Sequence, residues 1–284
     1  VRIAALRNAY VDACRCELRA LKPGNVHILG EGHNMTVEDF ERSAAASAEP
    51  LSHPGRTVGS RVFEAARATH KAVGCNTNLG ILLLSAPLLA AAEIAARGEL
   101  HQAIEATLDR LTVEDAVQVY DAIRIARPAG LGTAPEQDIA KAPSIDLRRV
   151  MTLAAERDRI ARQYATGFAD VFDIGVCGLA EAQRADAGRE WATAHVYLSF
   201  LAAFPDSHIA RKFGQERAEE VRREAARLRA AAGSAHELEE HAASLVEFDR
   251  SLKARGLNPG TSADLTVASL LAHAIADILS TAAA

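Results

Sequence analysis

LGILLLSAPLLAAA, residues 79–92, is the stretch that decides the fold. Its apolar residues run together without the in-and-out alternation of a half-buried strand. It is shorter than the roughly 20 residues a bilayer crossing takes, and Pro87 interrupts it. It therefore reads as a helix buried in a protein core. Upstream, residues 58–73 carry a helical pattern that ends at Gly74-Cys75-Asn76-Thr77-Asn78, a polar connector delivering the chain to Leu79.

Working outward, the same period recurs. Residues 3–20 form an amphipathic helical pattern that stops at Lys22-Pro23-Gly24-Asn25, a turn signal. Thr36-Val37-Glu38-Asp39 and Thr112-Val113-Glu114-Asp115 each join an N-cap threonine to acids in the first turn. They predict helices from 36 to just before Pro50 and from 112 to about 126. The stretch from Pro128 to Pro143 is the longest irregular segment and is expected to be a loop or an internal boundary. Beyond it, helical segments are expected near 147–173, 177–203, 207–232, 234–255 and 262–282, divided by Gly175, Pro205, Gly233 and Asn258-Pro259-Gly260. Asp158 and Arg162 fall one turn apart, the spacing of an ordinary helical ion pair. No segment alternates as strands do, so the expected fold is all-α, one compact multi-helix domain over residues 1–284.

Composition narrows the function classes. The chain has 284 residues, 49% hydrophobic and only 5% aromatic, with abundant Ala and Leu and more Arg than Lys, which suits packed helices. A net charge of -5 gives no general attraction to nucleic acid or to an anionic membrane, so neither is expected as a partner. The opening VRIAALRNAYVDACRCELRA has Arg7, Asp12, Arg15 and Glu17 where a secretory signal would be apolar, so a cytoplasmic location is expected. The four cysteines, Cys14, Cys16, Cys75 and Cys177, lack zinc-site spacing and are expected to be reduced.

Several polar clusters could carry chemistry, and each has a plainer reading. Lys22-Pro23-Gly24-Asn25-Val26-His27 sets an ammonium, an amide and an imidazole on a turn whose glycine admits a phosphate; it is equally a helix-to-loop turn. His33, between Gly32 and Asn34, suits a general base or substrate ligand on a mobile loop, or a surface histidine. Asn76, Thr77 and Asn78 precede an apolar helix, where an anion could meet free N–H groups or where capping alone operates. Gly260-Thr261-Ser262 with Asp264 also precedes an apolar helix. Thr261 to Asp264 fits a capping box, and Asp264 could instead be a metal ligand or acid–base group. Arg211 and Lys212 could clamp phosphate or be solvated.

The order of KPGNVH (22–27), GHNM (32–35), NTNLGILLLSAPL (76–88), RDRIARQY (157–164), PDSHIARKFG (205–214) and NPGTSADLT (258–266) resembles the triphosphoribosyl-dephospho-CoA synthase family and covers nearly the whole chain. The resemblance implies a helical transferase that joins ATP and 3'-dephospho-CoA and releases adenine. Lyase-associated members tend to read KPGLVD, NTHKG and GGSADLL where this chain has Asn25 and His27, Asn78-Leu79, and Gly260-Thr261-Ser262. Those departures bring it closer to the branch found in methanogens and in methylotrophs that make tetrahydromethanopterin and methanofuran. A transferase or kinase-like step on a phosphorylated intermediate of those carriers is one alternative, and a non-catalytic helical nucleotide-binding protein is the other.

If the family reaction holds, an acceptor hydroxyl attacks the anomeric carbon of the ATP ribose and displaces adenine. Such a step calls for Mg²⁺ and basic groups on the triphosphate, an acid for the departing base and a base for the acceptor. The resemblance implies triphosphate contacts from Lys22, Asn76, Asn78, Arg211 and Lys212, with Gly24, Asn25, His27, Thr77, Gly260, Thr261 and Ser262 also binding substrate. It implies acid–base roles for His33 and Asp264, and a metal role for Asp264. The acceptor and the oligomeric state are left open, a homo-oligomer included. The loops 22–34, 74–78 and 258–264 are expected to share one cleft.

Overall fold

The computed structural model describes residues 2–128, 130, 132, 133 and 136–281. Among them lie fifteen α-helices and one π-helix, and in place of strands two isolated bridges, His27 with Gly30 and Gly32 with Met35. The fold is all-α, as the helical spacing predicts. The chain's contacts fall into two compact units, 1–12 with 41–169 and 271–284, and 13–40 with 170–270. Each is discontinuous in sequence.

The first unit holds the start of α1 (Arg2–Arg19), most of α2 (Val37–Ser52), and α3 (Val58–Val73), α4 (Leu79–Ile94), α5 (Leu100–Leu108), α6 (Val113–Ala126), α7 (Leu147–Ala154) and α8 (Arg159–Ala165). The end of the last helix completes it. In α4, Leu79, Ile81 to Leu89, Ala91 and Ala92 are all buried, so this is the core helix the opening stretch predicts. Gly59 of α3 packs so tightly on Asp115 of α6 that a side chain there would collide with its backbone, and the Gly59 N–H donates to the Asp115 carboxylate at 2.8 Å. Asp115 also closes the capping box with Thr112.

Pro87 sits inside α4 and has no N–H, so the Leu83 carbonyl one turn earlier loses its helical donor. Tyr164 of α8, fully buried, supplies a replacement: its hydroxyl donates to Leu83 O at 2.6 Å. Tyr164→Phe is expected to leave that carbonyl unsatisfied and cost about 1–3 kcal/mol in denaturant unfolding. A loss near zero would show that the proline needs no such partner.

The second unit holds the rest of α1, the start of α2, a π-helix (Val171–Val176), α9 (Cys177–Arg184), α10 (Arg189–Ala203), α11 (Ser207–Phe213), α12 (Gln215–Ala232), α13 (Ala235–Glu240), α14 (Ala242–Ala254) and the start of α15 (Gly260–Thr281). Tyr197, Leu198 and Leu201 of α10 meet Val221 and Ala225 of α12, Leu238 of α13 and Leu245, Phe248 and Leu252 of α14 in one apolar cluster. The opposite face of α12 is laced with pairs such as Arg222–Glu219 and Arg217–Glu220, a solvated surface. Helix α15 is long and apolar enough to cross a bilayer by length and composition, and 67% of its most apolar window is buried inside the protein.

Some boundaries differ from the sequence reading. Pro50 does not end α2 but lies in its last turn, where its missing N–H removes one bond, to the carbonyl four residues earlier, and the helix stops two residues later. The run 147–173 breaks because the Asp158 carboxylate accepts from the Ile160 and Ala161 N–H groups and starts α8 afresh. Gly175 does not separate helices. It lies within the π-helix, pressed against Ser269 of α15 where a side chain would collide. The 207–232 run divides at Gly214, whose φ of 90 is left-handed.

Candidate functional site

Three chain segments close on one another in the second unit: the loop after α1, the start of α11 and the turn into α15. The loop is fixed from beneath. Lys22 is fully buried, and its ammonium meets Glu17, Asn25 Oδ1 at 3.0 Å and the Val26 carbonyl at 2.8 Å. Burial pushes the Lys22 ammonium down and the Glu17 carboxyl up, each against the attraction of its partner, while the nearby Asp264 charge also supports the ammonium. With three acceptors on three N–H groups, Lys22 has no donor left for a phosphate.

Gly24 follows with φ 82, a left-handed conformation that glycine adopts without strain. A side chain there would also strike Leu252 and Pro259 at under 3 Å. Its N–H donates to Asp249 at 2.8 Å and its carbonyl faces His33 Nε2 at 2.8 Å. A carbonyl only accepts, so Nε2 of His33 carries the proton. His33 and Asn34 both have positive φ, 59 and 60. Asn25 reaches across to Asn258, Nδ2 to Oδ1 at 2.8 Å. The Tyr197 hydroxyl donates to Pro23 O at 2.7 Å.

His27 is 1% exposed and lies beneath the loop. Its Nε2 is 3.4 Å from Asp249 and 3.3 Å from Lys253, while Nδ1 is buried without a hydrogen-bond partner. Burial lowers its pKa, which favours the neutral ring. Lys253 also donates to Gly30 O at 2.8 Å and to Asp249 at 3.0 Å. Burial acts to raise the Asp249 carboxyl, but the bonds from His27, the Gly24 N–H and Lys253 outweigh it and hold it below the usual range. Asp249 and Lys253, one turn apart on α14, thus clip down both ends of the 24–30 segment.

Asp206 joins the other two segments. Fully buried, it accepts from the N–H groups of His208 and Ile209, at 2.9 and 3.2 Å, and from the N–H and hydroxyl of Ser262, at 2.8 and 2.9 Å. Burial raises this carboxyl and the four donors oppose that rise. Thr261 pairs with the Ser207 hydroxyl at 3.0 Å, and its Oγ1 accepts from the His208 N–H at 3.2 Å. The capping box expected from Thr261 to Asp264 is not what these side chains build. Helix α15 begins at Gly260, so Thr261 already lies inside the first turn and turns its hydroxyl to α11. Asp264, in the same turn, is half-buried.

Arg211 and Lys212 occupy the last turn of α11, with Lys212 exposed and 5.9 Å from the Phe213 ring centroid. The remaining segment belongs to the first unit. There Asn76 Oδ1 accepts from the Leu79 N–H at 3.2 Å, Thr77 donates to Ser43 at 2.6 Å, and buried Asn78 reaches Ser47 at 3.5 Å. Asn76 therefore caps α4, while Thr77 and Asn78 tie the connector to α2.

Sequence reasoning passed over Glu17, Asp206, His208, Asp249 and Lys253. Asp206 and His208 stand in PDSHIARKFG (205–214), where an aspartate just ahead of a helix is a cap signal. Asp249 and Lys253 have i,i+4 spacing, which looks the same in a solvated pair.

Among the described residues no three His, Cys, Asp or Glu side chains gather as a metal site. One oxygen ligand such as Asp264 fits Mg²⁺ that arrives bound to a triphosphate, since this ion keeps several waters and takes one or two carboxylates.

A protein from Archaeoglobus fulgidus, provisionally named a triphosphoribosyl-dephospho-CoA synthase, has a similar crystal structure, with TM-score 0.62 and 26% identity over 83% of this chain and 97% of that one. No curated protein sequence matches. The pattern of the CitG family, described as ATP:dephospho-CoA triphosphoribosyl transferase, matches residues 3–281. With that match running almost end to end, this chain belongs to the ATP:dephospho-CoA triphosphoribosyl transferase family.

Proposed function

We propose that this transferase moves the triphosphoribosyl group of ATP onto the ribose 2'-hydroxyl of 3'-dephospho-CoA and releases adenine. The observation that carries this reading is the closure of KPGNVH, PDSHIARKFG and NPGTSADLT on one another through Asn25–Asn258, Asp206–Ser262 and Thr261–Ser207. These are three of the motifs on which the resemblance rests, and together they hold the half-buried carboxylate of Asp264, the imidazoles of His27 and His208 and the basic side chains of Lys22, Arg211 and Lys212 in one unit.

The roles follow from the charge and chemistry of each side chain in this unit. Asp264 is the carboxylate for Mg²⁺ or for the positive charge that develops on the sugar as the bond to adenine breaks. Mg²⁺, bound with ATP, supplies charge neutralisation to the triphosphate. Arg211 and Lys212 take phosphate oxygens. His33 presents Nδ1 to substrate while Nε2 is occupied by Gly24. Lys22, Asn25 and His27 act by shaping the loop, and Gly24, Gly260, Thr261 and Ser262 set the close approach of its backbone. Asn76, Thr77 and Asn78, in the other unit, hold the connector to α2 and to the start of α4. The site of action is the cytoplasm.

Chromatography of the products tests this directly. With ATP, Mg²⁺ and 3'-dephospho-CoA the expected base product is free adenine. ADP would mark a kinase, pyrophosphate another transfer, and ATP binding without turnover a non-catalytic protein.

A further inference from the structure

His208 is held with unusual care for a residue whose ring does nothing inside the protein. Its backbone N–H is taken by Asp206 and Thr261. The Nδ1 edge of its ring abuts Gly260, so that any side chain at 260 would overlap that nitrogen. Neither ring nitrogen hydrogen-bonds to another described residue, and the side chain is half-buried. A half-buried ring that is fixed by its backbone and by Gly260, with no protein partner on its nitrogens, is placed to meet a ligand. His208, Arg211 and Lys212 have the i, i+3, i+4 spacing that places them on one face of α11. His33 lies close by, across the loop.

We propose that His208 is a catalytic residue of the transfer, receiving the proton of the acceptor hydroxyl. This rests on the reaction proposed above. The acceptor O–H breaks as its oxygen bonds to the anomeric carbon, and the bond from that carbon to adenine breaks with its electron pair going to the base. The proton passes to the imidazole and from it to the departing adenine, so one proton moves from acceptor to adenine overall. Burial, then the Arg211 and Lys212 cations and His33, bring His208 down to about 4, which keeps the ring neutral with a lone pair to offer. A weak base suffices because the hydroxyl becomes strongly acidic only as it joins a cationic sugar.

The test uses full-length protein, with adenine release measured for wild type, His208→Gln and Gly260→Ala alongside melting curves. In parallel, the ring signals of ¹⁵N-histidine protein are followed on adding ATP or 3'-dephospho-CoA singly, His208 being assigned by its loss in H208Q. The expected result is adenine release slowed about 100-fold in H208Q with the KM for ATP close to wild type. G260A, which keeps the imidazole but displaces it, should slow release in the same direction. The His208 signals should move with 3'-dephospho-CoA. Full adenine release by H208Q, or His208 signals that neither ligand moves, overturns the proposal. A wild type that releases no adenine while its His208 signals still move sinks the transfer reaction instead and leaves His208 as a ligand contact.

Discussion

Asp264→Asn is expected to reduce adenine release by at least about 100-fold while the protein stays folded. Asp264 stands half-buried in the first turn of α15, beside Thr261 and Ser262, which tie that turn to α11. Asn preserves the size of the side chain and its hydrogen-bonding capacity but removes the charge that the metal and the developing oxocarbenium require. The binding of ATP in the presence of Mg²⁺ should weaken with it. If Asp264 were only part of a helix start, the change would cost at most about 1 kcal/mol of stability and leave turnover near wild type. Melting temperature and adenine release, measured on the same preparation, separate the two.

Lys22→Met should have the largest effect on stability. Glu17 is 4% exposed and Lys22 fully buried, so removing the ammonium strands a carboxylate in an apolar surround, together with Asn25 Oδ1 and the Val26 carbonyl. Breaking such a pair from one side costs about 3–5 kcal/mol. The double variant Glu17→Gln with Lys22→Met should recover a good part of that loss, because no buried charge is then left alone. Denaturant unfolding of the single and double variants gives the answer. A single variant within about 1 kcal/mol of wild type would show that the pair does not hold the loop.

Helix identity was legible because burial writes a period into the chain. Val58–Val73 and the start of α4 at Leu79 follow directly from apolar spacing and the Gly74 stop, and Thr112 with Asp115 forms the capping box its spacing implies. Breaks within long runs were not legible. Asp158 and Gly214 interrupt sequences whose periodicity continues on either side, and Gly175 is small for a neighbour, Ser269, that is remote in sequence.

The site was legible in the same uneven way. Loops rich in Gly and Asn announced themselves, and Gly24 and Gly260 do sit where a side chain would collide. What local reading could not supply was the partner of each polar group. Lys22 looks like a phosphate ligand until Glu17, Asn25 and Val26 are found around it, and His27 looks available until burial is known. Conversely, nothing local marks where the His208 ring lies, since its neighbour Gly260 and the Thr261 hydroxyl on its backbone N–H are remote in sequence.

In the proposed reaction the ribose and triphosphate of ATP move together while adenine is left behind. It is tested most directly by supplying ATP labelled either in the ribose or in the adenine ring, with Mg²⁺ and 3'-dephospho-CoA, and following the label. Ribose label should enter the 3'-dephospho-CoA product, which gains the full triphosphoribosyl mass, and adenine label should appear only in free base. Ribose and adenine labels that stay together in one nucleotide product would contradict it.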